Sequence, residues 1–369
     1  MPADVPRLLH VFSTFAVGGP QMRFAAIANR LGRRLRHEVV AMDGNLAAQE
    51  RLDPALDIGF PAIGMRKGDT LGNLRRFRSA LGRLRPDLLV TYNWGSIEWA
   101  LANALAWRRH LHLEDGFGPE ESTGQLPRRV LTRRLALRRA RVVLPSQTLF
   151  RIATDIWRLP ARNLRYVPNG IDLRRFAPGR SDPAPWPRDR PVIGTVAALR
   201  PEKNLTRLLD AAALLLRDRP ARLVLVGDGP ERGRLAAHAA ALGIAEWVHF
   251  AGHLADPSAA YRGFDLFALS SDTEQMPLSV LEAMGCALPV AATDVGDVAA
   301  MLPPDSRRFV VAKDAAALAG ALGVLLDDPA RRLVAGAANR ARAEAEFDQE
   351  TMFATYAGLF GLDGAAGAA

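Results

Sequence analysis

Short Val-, Leu- and Ile-rich runs alternate with longer segments of helical periodicity, twice over, and nothing else constrains this chain as strongly. A parallel sheet demands that pattern, because each strand must be followed by a crossover long enough to return to the same edge. In the first series the runs fall at 7–13, 37–42, 87–92, 110–114 and 141–145. The pattern breaks at Asp182-Pro183-Ala184-Pro185-Trp186-Pro187, which can continue neither a helix nor a central strand. A second series follows at 191–197, 222–226, 247–250, 266–270, 289–292 and 307–311. At 369 residues the chain exceeds one ordinary core. The expected organisation is α/β with two Rossmann-like domains, 1–177 and 191–346, joined by a linker at 178–190. A final amphipathic helix at 347–362 carries Phe353, Tyr356, Leu359 and Phe360 and suits either domain. The Gly/Ala tail beyond Leu362 is expected to fray.

Composition narrows the class. Apolar residues make up 49% and charged residues 24%, the balance of a soluble globular chain. No stretch approaches the roughly 18 consecutive apolar residues of a membrane span. Residues 1–4 lack the basic start of a secretory signal, and Cys286 is the single cysteine, so a cytoplasmic setting is expected. Cys286 itself reads as a small buried residue at an apolar helix end. Charge is uneven: residues 1–180 carry 30 Lys and Arg against 15 Asp and Glu, and the remainder 18 against 24. Arginines cluster at Arg75, Arg76, Arg78, Arg83 and Arg85, and seven more lie between Arg128 and Arg141. Such a field favours an anionic partner. With 45 Arg against 3 Lys, an arginine-rich genome decorating solvated helix faces accounts for it as well. No aromatic-interleaved basic groove points to nucleic acid.

Ligands of open parallel sheets bind beyond the carboxyl ends of the strands, so chemistry is sought in the loops just after each run. Gly18 and Gly19 follow the first run; the pair fits a tight turn and a phosphate- or acceptor-approaching loop equally. It is not a GxGxxG fingerprint, which argues against a dinucleotide oxidoreductase. Arg200 and Lys203 flank the turn after 191–197 and suit a diphosphate, one as a planar fork and the other as a point charge. Gly227 and Gly229 permit close backbone approach after 222–226, though turn chemistry alone would use them too. The most specific stretch runs from Ser270 to Met284. There a strand leads to Glu274, Pro277 opens a helix, and Glu282 sits on an otherwise apolar helical segment. A carboxylate in that setting is costly to bury unless it binds something. The amides of Gln275, Met276, Pro277 and Leu278 stand where a helix N-terminus meets anions (Pro277 itself has no N–H).

Glu274-x7-Glu282, followed by Ala-Met-Gly-Cys-Ala-Leu-Pro-Val-Ala-Ala-Thr-Asp-Val-Gly, resembles glycosyltransferase family 4, whose members are retaining enzymes of the GT-B fold. Leu199-Arg200-Pro201-Glu202-Lys203-Asn204, Gly227-Asp228-Gly229-Pro230, Val167-Pro168-Asn169-Gly170-Ile171-Asp172 and Gly18-Gly19 fall in the family's order. The likeness spans nearly the whole chain. It implies two parallel sheets facing an interdomain cleft, with the last helix crossing back to the N-terminal, acceptor-binding domain. The C-terminal domain would bind the nucleotide sugar.

Position by position, Glu282 would hold the ribose hydroxyls and Glu274 the transferred sugar near the reacting centre. Gln275 to Leu278 would hold sugar or distal phosphate, Arg200 and Lys203 the diphosphate, and Gly18, Gly19 and Gly227 would approach the donor. Three departures alter the pattern. Ala197-Ala198-Leu199 replaces the frequent Gly-Arg-Leu, so Arg200 stands in for the usual arginine. Glu274-Gln275-Met276-Pro277 replaces Glu-Gly-Phe-Pro. The usual N-domain histidine has no evident counterpart; Asp115 is best placed at the strand end, with His112 and Glu114 behind it on the acceptor side. The implied activity is transfer of a hexose or related sugar from a nucleoside diphosphate to a lipid-linked or polysaccharide acceptor. No cofactor and no metal are expected, Asp272-Thr273-Glu274 being the nearest approach to an acidic metal motif. Arg75 to Arg85 and Arg128 to Arg141 would hold the inner face of an anionic membrane. A sugar-nucleotide epimerase of the same fold is the nearest alternative.

Overall fold

Both series of runs form parallel sheets in the computed structural model, which describes residues 5–104, 106–121, 124–179 and 186–362. The first sheet contains β1 (Arg7–Phe12), β2 (Arg36–Ala41), β3 (Ile58–Gly59), β4 (Leu88–Tyr92), β5 (Arg109–Leu113), β6 (Arg141–Leu144) and β7 (Leu164–Tyr166), in the order β3-β2-β1-β4-β5-β6-β7. The second contains β8 (Val192–Val196), β9 (Arg222–Val226), β10 (Val248–Gly252), β11 (Leu266–Leu269), β12 (Val290–Thr293) and β13 (Val310–Val311), in the order β10-β9-β8-β11-β12-β13. Helices cover both faces, so central strands read as unbroken apolar runs; every residue of β4 is buried. β3 and β7 have no counterpart among the expected runs. They are edge strands of two and three residues, Ile-Gly and Leu-Arg-Tyr, each with a single aliphatic residue. In each sheet the order reverses beside the first strand, between β1 and β4 and between β8 and β11. Those are the switch points at which strand-end loops splay apart and leave room for a ligand.

By contacts the chain divides into two units, Met1–Pro168 with Glu350–Ala369, and Asn169–Gln349. The helix Gln349–Phe360 supplies Met352, Phe353, Tyr356, Leu359 and Phe360 to the core that holds Phe12, Phe24, Ile27 and Tyr92. At about 1.5–3 kcal/mol per large apolar side chain, that burial contributes on the order of 10 kcal/mol to the first unit. Residues 169–177 pack with the second unit, where Ile171 and Phe176 join the core and Ile171 N donates to Phe347 O at 2.9 Å. Of the expected linker, residues 180–185 lie outside the described residues, as does the tail beyond Leu362. Trp186, at the linker's far side, stacks on Phe264 with centroids 5.3 Å apart. Among the described residues no helix is long and apolar enough to cross a membrane.

Candidate active site

In the second unit the loops after β8, β9, β11, β12 and β13 converge. The loop after β11 carries Glu274, whose Oε1 accepts from Lys203 Nζ at 2.5 Å and from Ser271 Oγ at 2.8 Å. Lys203 belongs to the loop after β8, and the two loops are tied together independently of that pair. Asp272 N donates to Glu202 O at 2.9 Å, and Ser270 Oγ donates to Lys203 O at 3.0 Å. Arg207 reaches Asp272 at 2.7 Å, while Lys313 Nζ, beyond β13, donates to Asp272 O at 2.9 Å. Two of the chain's three lysines therefore meet at one acidic loop. Arg200 is exposed, and its guanidinium has no partner among the described residues.

Two glycines allow these loops to touch. Gly227 has φ +135°, and a Cβ there would lie 1.9 Å from Ala197 O. Its amide donates to Gly252 O at 2.8 Å, so Gly227 joins two loops and has no N–H left for a phosphate. A Cβ on Gly296, φ +53°, would lie 2.3 Å from Glu274 O. Gly296 thus permits the close backbone approach that shapes the Glu274 turn, helped by Asp297 N donating to Gln275 O at 2.9 Å.

The helix Leu278–Gly285 starts after Pro277 with no side-chain cap, so its first amides remain available to a ligand. The Met276 side chain is buried in the core, and its Sδ accepts from Asn169 N at 3.3 Å. Only its backbone can face a donor. Glu282, half-buried on the helix, accepts from Tyr261 OH at 2.6 Å through Oε2. Burial raises its carboxyl above the ordinary range, and the Tyr261 hydrogen bond and Arg175 oppose that rise. Tyr261 OH also meets Ser279 O at 3.2 Å, so one oxygen of Glu282 is held and the other is left for a ligand. The sequence does not single out Tyr261, Gly296 and Lys313, because their partners lie far along the chain. Cys286 is buried, and burial pushes its thiol up to about 12.

In the first unit Gly18 is the residue before the helix Gly19–Leu31, again without a side-chain cap. Asp115, just past β5, forms a bidentate pair with Arg23 of that helix at 2.5 and 2.9 Å. Burial works against the charge on Arg23, yet Asp115 and the nearby tyrosines hold it firmly protonated. Asp115 N donates to Asn93 Oδ1 at 2.6 Å, from the loop after β4. His112 and Glu114 do not share this position. Side chains two apart on a strand point to one face, and here that face lies under the helix Pro127–Leu137. Both are wholly buried and present no atom to the surface.

What covers them is Arg133, which is equally buried and lies over the rings of Trp94, Phe117 and Trp157 at 5.0, 5.3 and 4.7 Å. Its terminal nitrogens pair with Glu121 at 2.9 and 2.8 Å, and Arg129 pairs with both Glu120 and Glu121. Arg129 and Arg133 therefore clamp the loop after β5 and are not part of a solvated basic face. Arg128, Arg138, Arg139 and Arg141 are exposed, as are Arg75, Arg78, Arg83 and Arg85.

Comparison with known proteins agrees with this architecture. Residues 17–175 match the family described as Glycosyltransferase Family 4, and residues 180–342 match Glycosyl transferases group 1. A D-inositol 3-phosphate glycosyltransferase from Acidothermus cellulolyticus is 30% identical over 87% of this chain and 81% of that one. A GDP-mannose-dependent monoacylated alpha-(1-6)-phosphatidylinositol monomannoside mannosyltransferase from Corynebacterium glutamicum is 31% identical, over 51% of this chain and 53% of that one. Anabaena HepE, crystallised in complex with UDP and glucose, shares the fold with a TM-score of 0.80 at 22% identity, over 96% of this chain and 99% of that one. The chain belongs to glycosyltransferase family 4 and has the GT-B fold.

Proposed function

We propose that this glycosyltransferase moves a hexose, with retention of configuration and without a metal, from a nucleoside diphosphate to a hydroxyl of an inositol-containing or lipid-linked acceptor. The observation that carries the reading is the Lys203–Glu274 pair at 2.5 Å beside the uncapped helix that bears Glu282. Glu282, steadied by Tyr261, would accept from ribose hydroxyls. Lys203, Arg200 and the helix amides would gather charge as the diphosphate leaves. Glu274 would hold the sugar, and Gln275 to Leu278 its hydroxyls or the distal phosphate. The acceptor oxygen would bond to the anomeric carbon on the face from which the diphosphate departs, and the hydroxyl proton would pass to the leaving group. Gly18, Gly19 and Asp115 are assigned to the first unit's share of substrate binding. An inositol-bearing acceptor is favoured by the relatives from Acidothermus and Corynebacterium, whose names specify inositol phosphate and phosphatidylinositol mannoside.

A thermal-shift screen over UDP-, GDP- and ADP-sugars tests the donor half. One sugar nucleotide should raise Tm, GDP-mannose being the first choice given the Corynebacterium relative. Glu282→Ala should abolish that shift, and an unchanged shift would refute the ribose role. The acceptor reading extends to the membrane. Arg128, Leu131, Leu135, Arg138 and Arg139 are exposed along one helix and its end, an apolar and cationic combination suited to an anionic lipid surface. Cosedimentation should show binding to phosphatidylglycerol vesicles that fades with salt. Equal binding to neutral and anionic vesicles would sink the membrane reading.

A further inference from the structure

Beneath the loop that follows β5 lies a set of buried polar groups without enough partners. Neither carboxyl oxygen of the wholly buried Glu114 accepts a hydrogen bond. Arg133 Nε stands 3.5 Å from Glu114 Oε2 and His112 Nε2 stands 3.7 Å from it, and neither nitrogen has a hydrogen-bond partner. The charges nearby already balance: Arg129 and Arg133 face Glu120 and Glu121. An ionised Glu114 would add an uncompensated negative charge to a dry interior. Burial pushes its carboxyl up to about 8 from an ordinary 4.5, Arg133 opposing and Asp115 and Glu121 adding to the rise. His112 is held neutral, its ring brought down to about 3 by burial and by Arg133. Its Nδ1 is hydrogen-bonded to Thr91 Oγ1 at 2.8 Å, and the same hydroxyl meets His110 Nε2 at 2.8 Å. His112 Nε2 is the ring nitrogen on the Glu114 side, 3.7 Å from Oε2.

We propose that Glu114 is a positioning residue, carried at neutral pH as a carboxylic acid between His112 and Arg133, and that it fixes the loop whose next residue is Asp115. The groups that face it are His112 from β5, Arg133 from the Pro127–Leu137 helix, and Asp115 and Glu121 from the loop. When Glu114 ionises it competes with Glu121 for Arg133, and the loop between Asp115 and Glu121 loses its clamp. The charge state follows from the packing alone; the effect on turnover rests on the glycosyl-transfer reading.

Infrared spectroscopy of the full chain tests the charge state. The wild type should show a protonated carboxyl band at pH 7 that disappears with a midpoint near 8, and Glu114→Gln should lack it; absence of the band from the wild type would overturn the proposal. Hydrogen exchange of the 114–126 segment, corrected for intrinsic rates, tests the positioning. Exchange should accelerate several-fold in the wild type between pH 7 and 9 and stay level in Glu114→Gln; equal profiles would overturn the clamp. Since the folded-state carboxyl titrates above its unfolded value, its contribution to stability is full below pH 4.5 and is lost as pH rises through about 8. The Tm of the wild type relative to Glu114→Gln should fall accordingly between pH 5 and 8. With the donor identified, the alkaline limb of sugar transfer should be absent from Glu114→Gln. A chain inactive with every donor would sink the transfer reading, while the infrared band and the exchange profile still decide Glu114.

Discussion

Lys203→Ala is expected to lower sugar-transfer turnover by about 10²–10³-fold, the cost seen when one preorganised donor to a developing negative charge is removed. The residue is the only cation directly paired with Glu274 among the described residues, at 2.5 Å, and both sit at the mouth of an uncapped helix. Its removal takes away a charge at the departing diphosphate and leaves Glu274 with Ser271 as its side-chain donor. Because the pair is only partly buried, the stability cost should be about 1 kcal/mol, so lost activity will not reflect unfolding. Lys203→Arg should recover little, since a planar fork does not reproduce a compact ammonium held between two loops. Steady-state assays should place the loss mainly in kcat, and wild-type turnover should survive chelator. A loss below tenfold would remove Lys203 from the charge-stabilising role.

Arg133→Met should destabilise the first unit by roughly 3–5 kcal/mol, the usual effect of stripping one partner from a buried ion pair. The substitution leaves Glu121, wholly buried at its side chain, with Arg129 and a thioether in place of Arg133, and it also gives up the stacking over Trp94, Phe117 and Trp157. In a unit of this size that corresponds to a fall in Tm of roughly 6–20 °C. Replacing Glu121 as well, as Arg133→Met with Glu121→Leu, should restore much of the loss, because a buried pair exchanged whole for apolar groups is often nearly neutral. Arg138→Ala, on the exposed end of the same segment, should stay within about 0.5 kcal/mol. A loss under 1 kcal/mol at Arg133 in urea unfolding would refute the clamp.

The contrast between Arg133 and Arg138 shows where a sequence stops being legible. The β-branched and Leu-rich runs announce the strands because burial on both faces leaves an unbroken apolar signature, and the return of the pattern after residue 190 announces the second sheet. β3 and β7 carry no such signature because Ile58-Gly59 and Leu164-Arg165-Tyr166 each hold a single aliphatic residue. Glu274 and Glu282 stand out because an apolar helical segment makes a carboxylate conspicuous. Arg133 does not, for the paired arginines from Arg128 to Arg139 repeat along the helix and look alike. Only the fold shows which of them meets Glu121, twelve residues earlier. His112 and Glu114 mislead for a related reason: proximity to a strand end says nothing about which face a helix will cover. Gly227 suits ligand approach by its sequence, but its amide is already bonded to Gly252 O in the next loop.

On the ribosome, the helix Gln349–Phe360 sets the order of events. The sequence of the first unit's sheet is complete by Pro168, yet Met352, Phe353, Tyr356 and Phe360, which fill its core, are made only after the whole second unit. At about 5–20 residues per second, the intervening 169–349 segment occupies the ribosome for roughly 9–36 s. During that interval the first unit's core lacks these side chains, and the ring of His10 lacks Phe360, which meets it edge-on at 5.9 Å. Vectorial synthesis is thereby inverted: the half that emerges first finishes last, and its apolar floor is a standing invitation to chaperones until the final turn of helix arrives.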